Sequence, residues 1–258
     1  METEVNQKRS GKGIGRNFSR DKQEKAIFKP YKQKRKCMDL ECLNAIWERI
    51  ERRENCGSCP LRTGKTSPLI FRPDRDVKVT VITQGPNRIE KPEVIASLAN
   101  HPTFTYLSAL LGGKFRPAKE ATVYWTHLRK CFIRDEHGQS VVEGRDADKV
   151  GKKAVKLCSR AYLMDEIKAA RPKFILAVGG DAREFLYRNS KDERLSGGVE
   201  ETLLEYGIVK SVKLENSVVD VAVVPHPSGR SRLWLRPSER AAGALESIRE
   251  AFLEIIES

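Results

Sequence analysis

Four apolar runs, each rich in β-branched or aromatic residues, recur along the chain: VKVTVITQ (77–84), VYWTHLRK (123–130), KFILAVGG (173–180) and VDVAVVPH (219–226). Helical patterns lie between them. Strands that alternate with helices call for a mostly parallel sheet covered on both faces, an α/β fold. The third run is almost wholly apolar, as befits a strand buried on both faces. Before the first run, Leu40, Leu43, Ile46, Trp47 and Ile50 recur at helical spacing after a capping Asp39, and this helix is expected to end near Asn55. Further helices are expected around Leu107–Leu111 and over 152–170, which runs free of Gly and Pro up to Pro172. A short helix over Asp181–Tyr187 would be capped by Asp181. The last helix starts near Pro237 with a stripe of Ala241, Leu245, Ile248, Phe252 and Ile255. The stretch 207–224 also reads as a hairpin turning at Glu215–Asn216–Ser217, which would add an antiparallel edge strand.

Charge divides the chain. There are 48 Lys and Arg against 35 Asp and Glu, a net charge of +13, which points to a polyanionic partner and first of all to nucleic acid. Residues 1–36 carry twelve of the cations and four of the acids, so +8 sits in the tail and +5 on the body. The tail lacks sustained periodicity and reads as disordered. Its Phe18, Phe28 and Tyr31 interleave with the basic blocks, a mixture that can meet phosphates by charge and bases by stacking, or serve only to solubilise. The expected domains are therefore the tail, 1–36, and one domain over 37–258. No run of about 18 apolar residues is present, so no transmembrane helix is expected. No secretory signal is seen, and the expectation is a cytoplasmic monomer, nucleoid-associated in a prokaryote.

Of the six cysteines, Cys56 and Cys59 form a C-x-x-C turn, which lets two thiolates face one metal centre. Two further single cysteines would complete four thiolates, suited to zinc or to an iron–sulfur cluster. A redox dithiol is the rival reading, although such a motif normally opens a helix after a strand, and this one follows a helix and runs into Pro60. Cys37 and Cys42, beside the tail, read as structural or incidental.

The string ERRENCGSCPLR resembles the opening of the iron–sulfur, family 4 type of uracil-DNA glycosylases. VTVITQGPN resembles their first active-site loop, Gly-Glu-Ala-Pro-Gly after a strand, and VYWTHLRKCFI resembles the strand with Thr-Asn-Val-Val-Lys-Cys. LCSRAYLMDEIKAARPKFILAVGG resembles their Cys-x-x-Tyr-Leu through Pro-Lys-x-Ile stretch, and VVPHPSGRSR their His-Pro-Ser loop. These landmarks stand in the family's order over residues 40–258.

The resemblance implies a three-layer αβα sandwich around a four-stranded, mostly parallel sheet. It implies a structural [4Fe–4S] cluster held by Cys56, Cys59, Cys131 and Cys158, with DNA as partner. The polar segment between Cys131 and Cys158 is longer than the family's and is expected to be a surface excursion. The implied activity is excision of uracil or another damaged base from DNA. The alternative is a member with altered chemistry that acts as a nucleic-acid-binding module. His226 takes the place of the family's hydrogen-bond donor to the base oxygen. Gln84 falls on its Glu, Gly85 on its Ala, with Pro86 retained and Asn87 next; Gln84 and Asn87 can orient water but are poor bases. Glu90 and Glu93 lie just downstream. His127 replaces the uracil-reading Asn, which puts uracil specificity in question. Phe104 is the candidate base-stacking ring, and Ser228 belongs to the substrate loop. Arg230 and Arg232 are candidate phosphate contacts, and Leu233 is a candidate wedge. The tail is a candidate docking site for a replication or repair protein.

Overall fold

The computed structural model describes residues 38–62, 67–73, 76–88, 122–226 and 237–258. Helix α1 (Leu40–Glu51) starts where the sequence places it: the Asp39 carboxylate accepts the Cys42 N–H at 2.9 Å. Strands β1 (Val79–Thr83), β2 (Val123–His127) and β3 (Phe174–Val178) are buried at every position. They pair in parallel, with Val79 opposite both Val123 and Phe174. Strand β5 (Ser217–Val224) adds a fourth parallel strand on β3, and β4 (Ile208–Leu214) pairs antiparallel with β5. The sheet order is β2-β1-β3-β5-β4. The fold is thus the expected α/β sandwich, with five strands rather than four, because the hairpin turn at Glu215–Asn216 folds β4 back along the edge.

The period-2 alternation of the strands feeds two cores. Val79, Val81, Phe174, Leu176 and Val224 face one layer, made by α5 (Val199–Tyr206) and α6 (Glu239–Glu257). Ile82, Ile175, Ala177 and Val223 face the other, which contains α3 (Met164–Ala170) and α4 (Gly180–Ser190). The apolar stripe of α1 packs on Tyr124, Tyr162 and Ala169. In α6 the buried stripe ends on Ile256, with Ile255 only half-buried.

Several boundaries differ from expectation, each for a local reason. Helix α2 (Ala147–Cys158) begins five residues before the expected start, because Asp146 caps it by accepting the Lys149 N–H at 2.8 Å. A π-helical turn, Ser159–Leu163, then joins it to α3. The extra residue of such a turn rotates the chain so that Cys158 and the buried Tyr162 both lie against the layer that holds Cys56. The excursion after Cys131 is not wholly at the surface: Phe132 and Ile133 are buried, as are Val150 and Ala154 of α2. Helix α4 starts on Gly180 with Gly179 as its cap residue, so Asp181 stands in the first turn instead of capping it. The tail, Cys37 and the expected helix near Leu107–Leu111 lie outside the described residues. Among the described residues no helix is long and apolar enough to cross a membrane.

Candidate functional site

The four parallel strands deliver their C-terminal ends to one edge of the sheet, where α/β folds bind ligands. β1 runs out into Gln84–Asn87, β2 ends on His127, β3 leads into Gly179–Asp181, and β5 into Pro225–His226. The Gln84–Asn87 loop is zipped onto the chain leaving β2. Leu128 N–H donates to Thr83 O at 2.9 Å, Arg129 N–H to Gln84 O at 3.0 Å, and Arg134 N–H to Asn87 O at 3.0 Å. Gly85 is required at this seam: its φ is +149°, and a Cβ would stand 2.6 Å from Arg129 O. The Arg129 guanidinium, itself buried, donates to Pro86 O at 2.6 Å and to Cys131 O at 2.9 Å, so it ties the loop to the cysteine segment. Burial pulls its pKa down to about 10.

Two side chains meet across the edge. The Gln84 amide donates to Asp181 Oδ2 at 2.6 Å, and both residues are exposed. The first loop, whose residues 84–87 carry no carboxylate, thereby meets one. Sequence reasoning gave Asp181 only a capping role; the signal that could have found it is an acid directly after Gly-Gly at the end of an apolar parallel strand. His226 lies beside Gly179, whose φ is +87° and where a Cβ would come within 3.4 Å of His226 Cβ. His226 is open to solvent on one side, and burial of the other lowers its pKa below the usual imidazole value. Asn87 is exposed next to Pro86, which is buried.

His127 is placed differently. It is 2% exposed, with Nδ1 2.5 Å from Thr83 Oγ1 and its ring edge-on to Phe71 at 6.1 Å between centroids. Beneath it runs a buried polar network. Lys130 Nζ meets Glu166 Oε2 at 2.5 Å and donates to Thr126 Oγ1 and His127 O at 2.5 and 2.7 Å. Tyr124 OH donates to Glu166 Oε1 at 2.5 Å and accepts from Trp47 Nε1 at 3.0 Å. Burial first, and then the Glu166 charge, raise the Tyr124 pKa well above the phenol value.

The four cysteines of the expected cluster come from three segments; Cys56 and Cys158 pack against the core that holds Tyr124 and Tyr162, and Cys59 and Cys131 against the one that holds Leu61 and Ile133. The C-x-x-C turn closes through Cys59 N–H to Cys56 O at 2.9 Å. Arg53 holds it by donating to Leu61 O and Arg62 O. Cys131 bridges to Pro68, and the Cys158 thiol takes the Lys130 N–H. Cys56 Sγ lies 3.7 Å from Tyr162 OH. The thiols sense one another: Cys131 feels Cys59 and Cys56, and Cys158 feels Cys131. Burial pushes the Cys131 thiol up to about 11 and that of Cys158 up to about 12, and it raises Cys59 as well. Burial thus disfavours the thiolate at Cys59, Cys131 and Cys158, whereas a redox cysteine has a lowered pKa. Among the described residues, which include these four cysteines, no group of three or more His, Cys, Asp or Glu side chains is gathered that could hold a metal ion. Cys42 is exposed on α1. Phe104, Ser228, Arg230, Arg232, Leu233, Glu90 and Glu93 lie outside the described residues.

A family model described as the uracil DNA glycosylase superfamily matches residues 71–248, which hold the whole sheet and every strand-end residue named above. No curated protein sequence matches the chain.

Proposed function

The chain belongs to the uracil DNA glycosylase superfamily, and from that premise we propose that it excises uracil or another damaged base from DNA at the C-terminal edge of its sheet. The observation that carries this reading is the Gln84–Asp181 contact, two residues along from the Gly179 that His226 lies against, at the edge where the strands end. Excision requires the base to leave the stack and enter a pocket. As the glycosidic bond breaks, the sugar gains positive character and the base oxygen gains negative charge. The Asp181 carboxylate orients the attacking water and offsets the charge on the sugar, while Gln84 fixes its rotamer. Asn87 is a second amide available to that water. His226, kept neutral by its lowered pKa, donates an N–H to the base oxygen.

Cys56, Cys59, Cys131 and Cys158 would hold a [4Fe–4S] cluster, whose role is to tie the C-x-x-C turn, the exit of β2 and the end of α2 into one support for the loops. What supports the fit is three desolvated thiols, Cys59, Cys131 and Cys158, with cations at Arg53, Arg129 and Lys130 near them and backbone N–H groups aimed at Cys59 and Cys158. Brown protein with iron in excess of zinc supports this; colourless protein with stoichiometric zinc overturns it.

A second reading, a member that binds nucleic acid without excision, is favoured by His127. A side chain 2% exposed and engaged by Thr83 does not offer a free edge to a pyrimidine as an Asn does. Incubation with oligonucleotides carrying single damaged bases, followed by alkaline strand cleavage, separates the two. Cleavage at any one lesion supports excision; binding with no cleavage across the panel supports the second reading.

A further inference from the structure

A groove of about 810 Å³ opens between α2, the π turn, α3 and α4, and its mouth shares Leu128 and Asp181 with the strand-end site. Its charges are not balanced locally. The four acids in its wall are all engaged. Asp181 takes the Gln84 amide, and Asp165 pairs with Arg49 at 3.8 Å. Glu184 pairs with Arg188 at 2.7 Å, and Glu215 with Lys168 at 2.5 Å. By contrast Lys152, Lys156 and Arg160 are exposed in the same wall and make no ion pair among the described residues. They recur every four residues, so they form one stripe on successive turns, about 12 Å long at 1.5 Å per residue. The stripe has a fixed base: the other face of α2 buries Ala147, Val150, Gly151 and Ala154, and a Cβ at Gly151 would reach Arg129 Nη1 at 2.8 Å. Through Arg129 and its bond to Pro86 O, α2 is thus seated directly on the first loop.

We propose that Lys152, Lys156 and Arg160 line a track for the phosphodiester backbone of the DNA strand flanking the excised base. This rests on the glycosylase reading and gives it a surface. Four residues at 1.5 Å each set successive cations about 6 Å apart, so the three of them meet at most three successive phosphates of one strand. Unpaired cations held at fixed spacing release counterions on binding without first giving up partners of their own. The engaged acids opposite them repel the strand little.

The test compares the full chain with two charge-matched variants. One removes the stripe (Lys152→Gln, Lys156→Gln, Arg160→Gln). The other removes three exposed cations that do not line the groove (Lys173→Gln, Lys191→Gln, Lys213→Gln), one just before β3, one just after α4 and one near the end of β4. Fluorescence anisotropy with a fluorescein-labelled DNA duplex gives Kd across a salt series, and thermal melts check that both variants are folded. The stripe variant should lose about 2.7 from the slope of log Kd against log salt, at roughly 0.9 for each phosphate contact. Between 50 and 200 mM salt the wild type then weakens about 40-fold more than the stripe variant. The second variant should keep the wild-type slope. Equal slopes for stripe variant and wild type, or an equal loss in the second variant, overturn the track and leave the glycosylase reading standing. A wild-type chain that binds no DNA at low salt overturns the glycosylase reading itself.

Discussion

Removing the Glu166 carboxylate while leaving Lys130 in place tests how the exit of β2 is held. The two side chains are 1% and 2% exposed and meet at 2.5 Å. Glu166 also accepts from Tyr124 OH, and Thr126 Oγ1 lies 3.2 Å from it. In Glu166→Leu the ammonium of Lys130 is stranded in the core. Breaking a buried pair in this way costs about 3–5 kcal/mol. For a folded body of this size each kcal/mol moves Tm by roughly 2–4 °C, so the expected drop is about 6–20 °C. The double variant Lys130→Met/Glu166→Leu removes both charges, and it should recover most of the loss, since apolar replacements of buried pairs are often neutral. Circular-dichroism melts at one scan rate and neutral pH supply all four corners of the cycle. A single variant within about 2 °C of wild type, or a double variant as unstable as the sum of the singles, refutes the reasoning.

Gly85→Ala forces a Cβ to within 2.6 Å of Arg129 O, and denaturant unfolding should show a loss of about 1–3 kcal/mol together with lost excision. Arg129→Met leaves Pro86 O and Cys131 O without their donor, and limited proteolysis should then cut the first loop faster than in wild type. The lowered pKa of His226 means its neutral form persists as pH falls past the ordinary imidazole value, about 6.5. The acid limb of the excision rate should therefore lie below pH ~6.5, and a limb centred above it argues against a neutral donor.

What the sequence made legible follows from where local pattern and burial agree. The strands of 79–83, 123–127 and 174–178 are buried throughout, so their apolar runs state their place without ambiguity. The edge hairpin was legible because Glu215 and Asn216 punctuate two β-rich runs. The start of α2 was missed because its first turn, Ala147–Val150, sits inside a polar run, and only the Asp146 cap marks it. The Gln84–Asp181 contact was not legible, since the two residues are 97 positions apart and only the β1–β3 pairing brings them together. The burial of His127 was hidden for a related reason: a polar residue at a strand end is ordinarily exposed, and here Thr83 and Phe71 enclose it. The charge division also gains a place on the fold, because part of the body's +5 is concentrated on one face of α2.

The most direct test of the proposed chemistry is the single-turnover excision rate at saturating protein, on whichever lesion the panel identifies, for wild type, Asp181→Asn and His226→Ala. The expected result is measurable base release by the wild type, slowed by about 10²–10⁴ in Asp181→Asn and by about 10²–10³ in His226→Ala, with DNA affinity little changed. Wild-type rates in both variants, or no base released from any lesion by the wild type, would contradict the assignment of excision to this edge of the sheet.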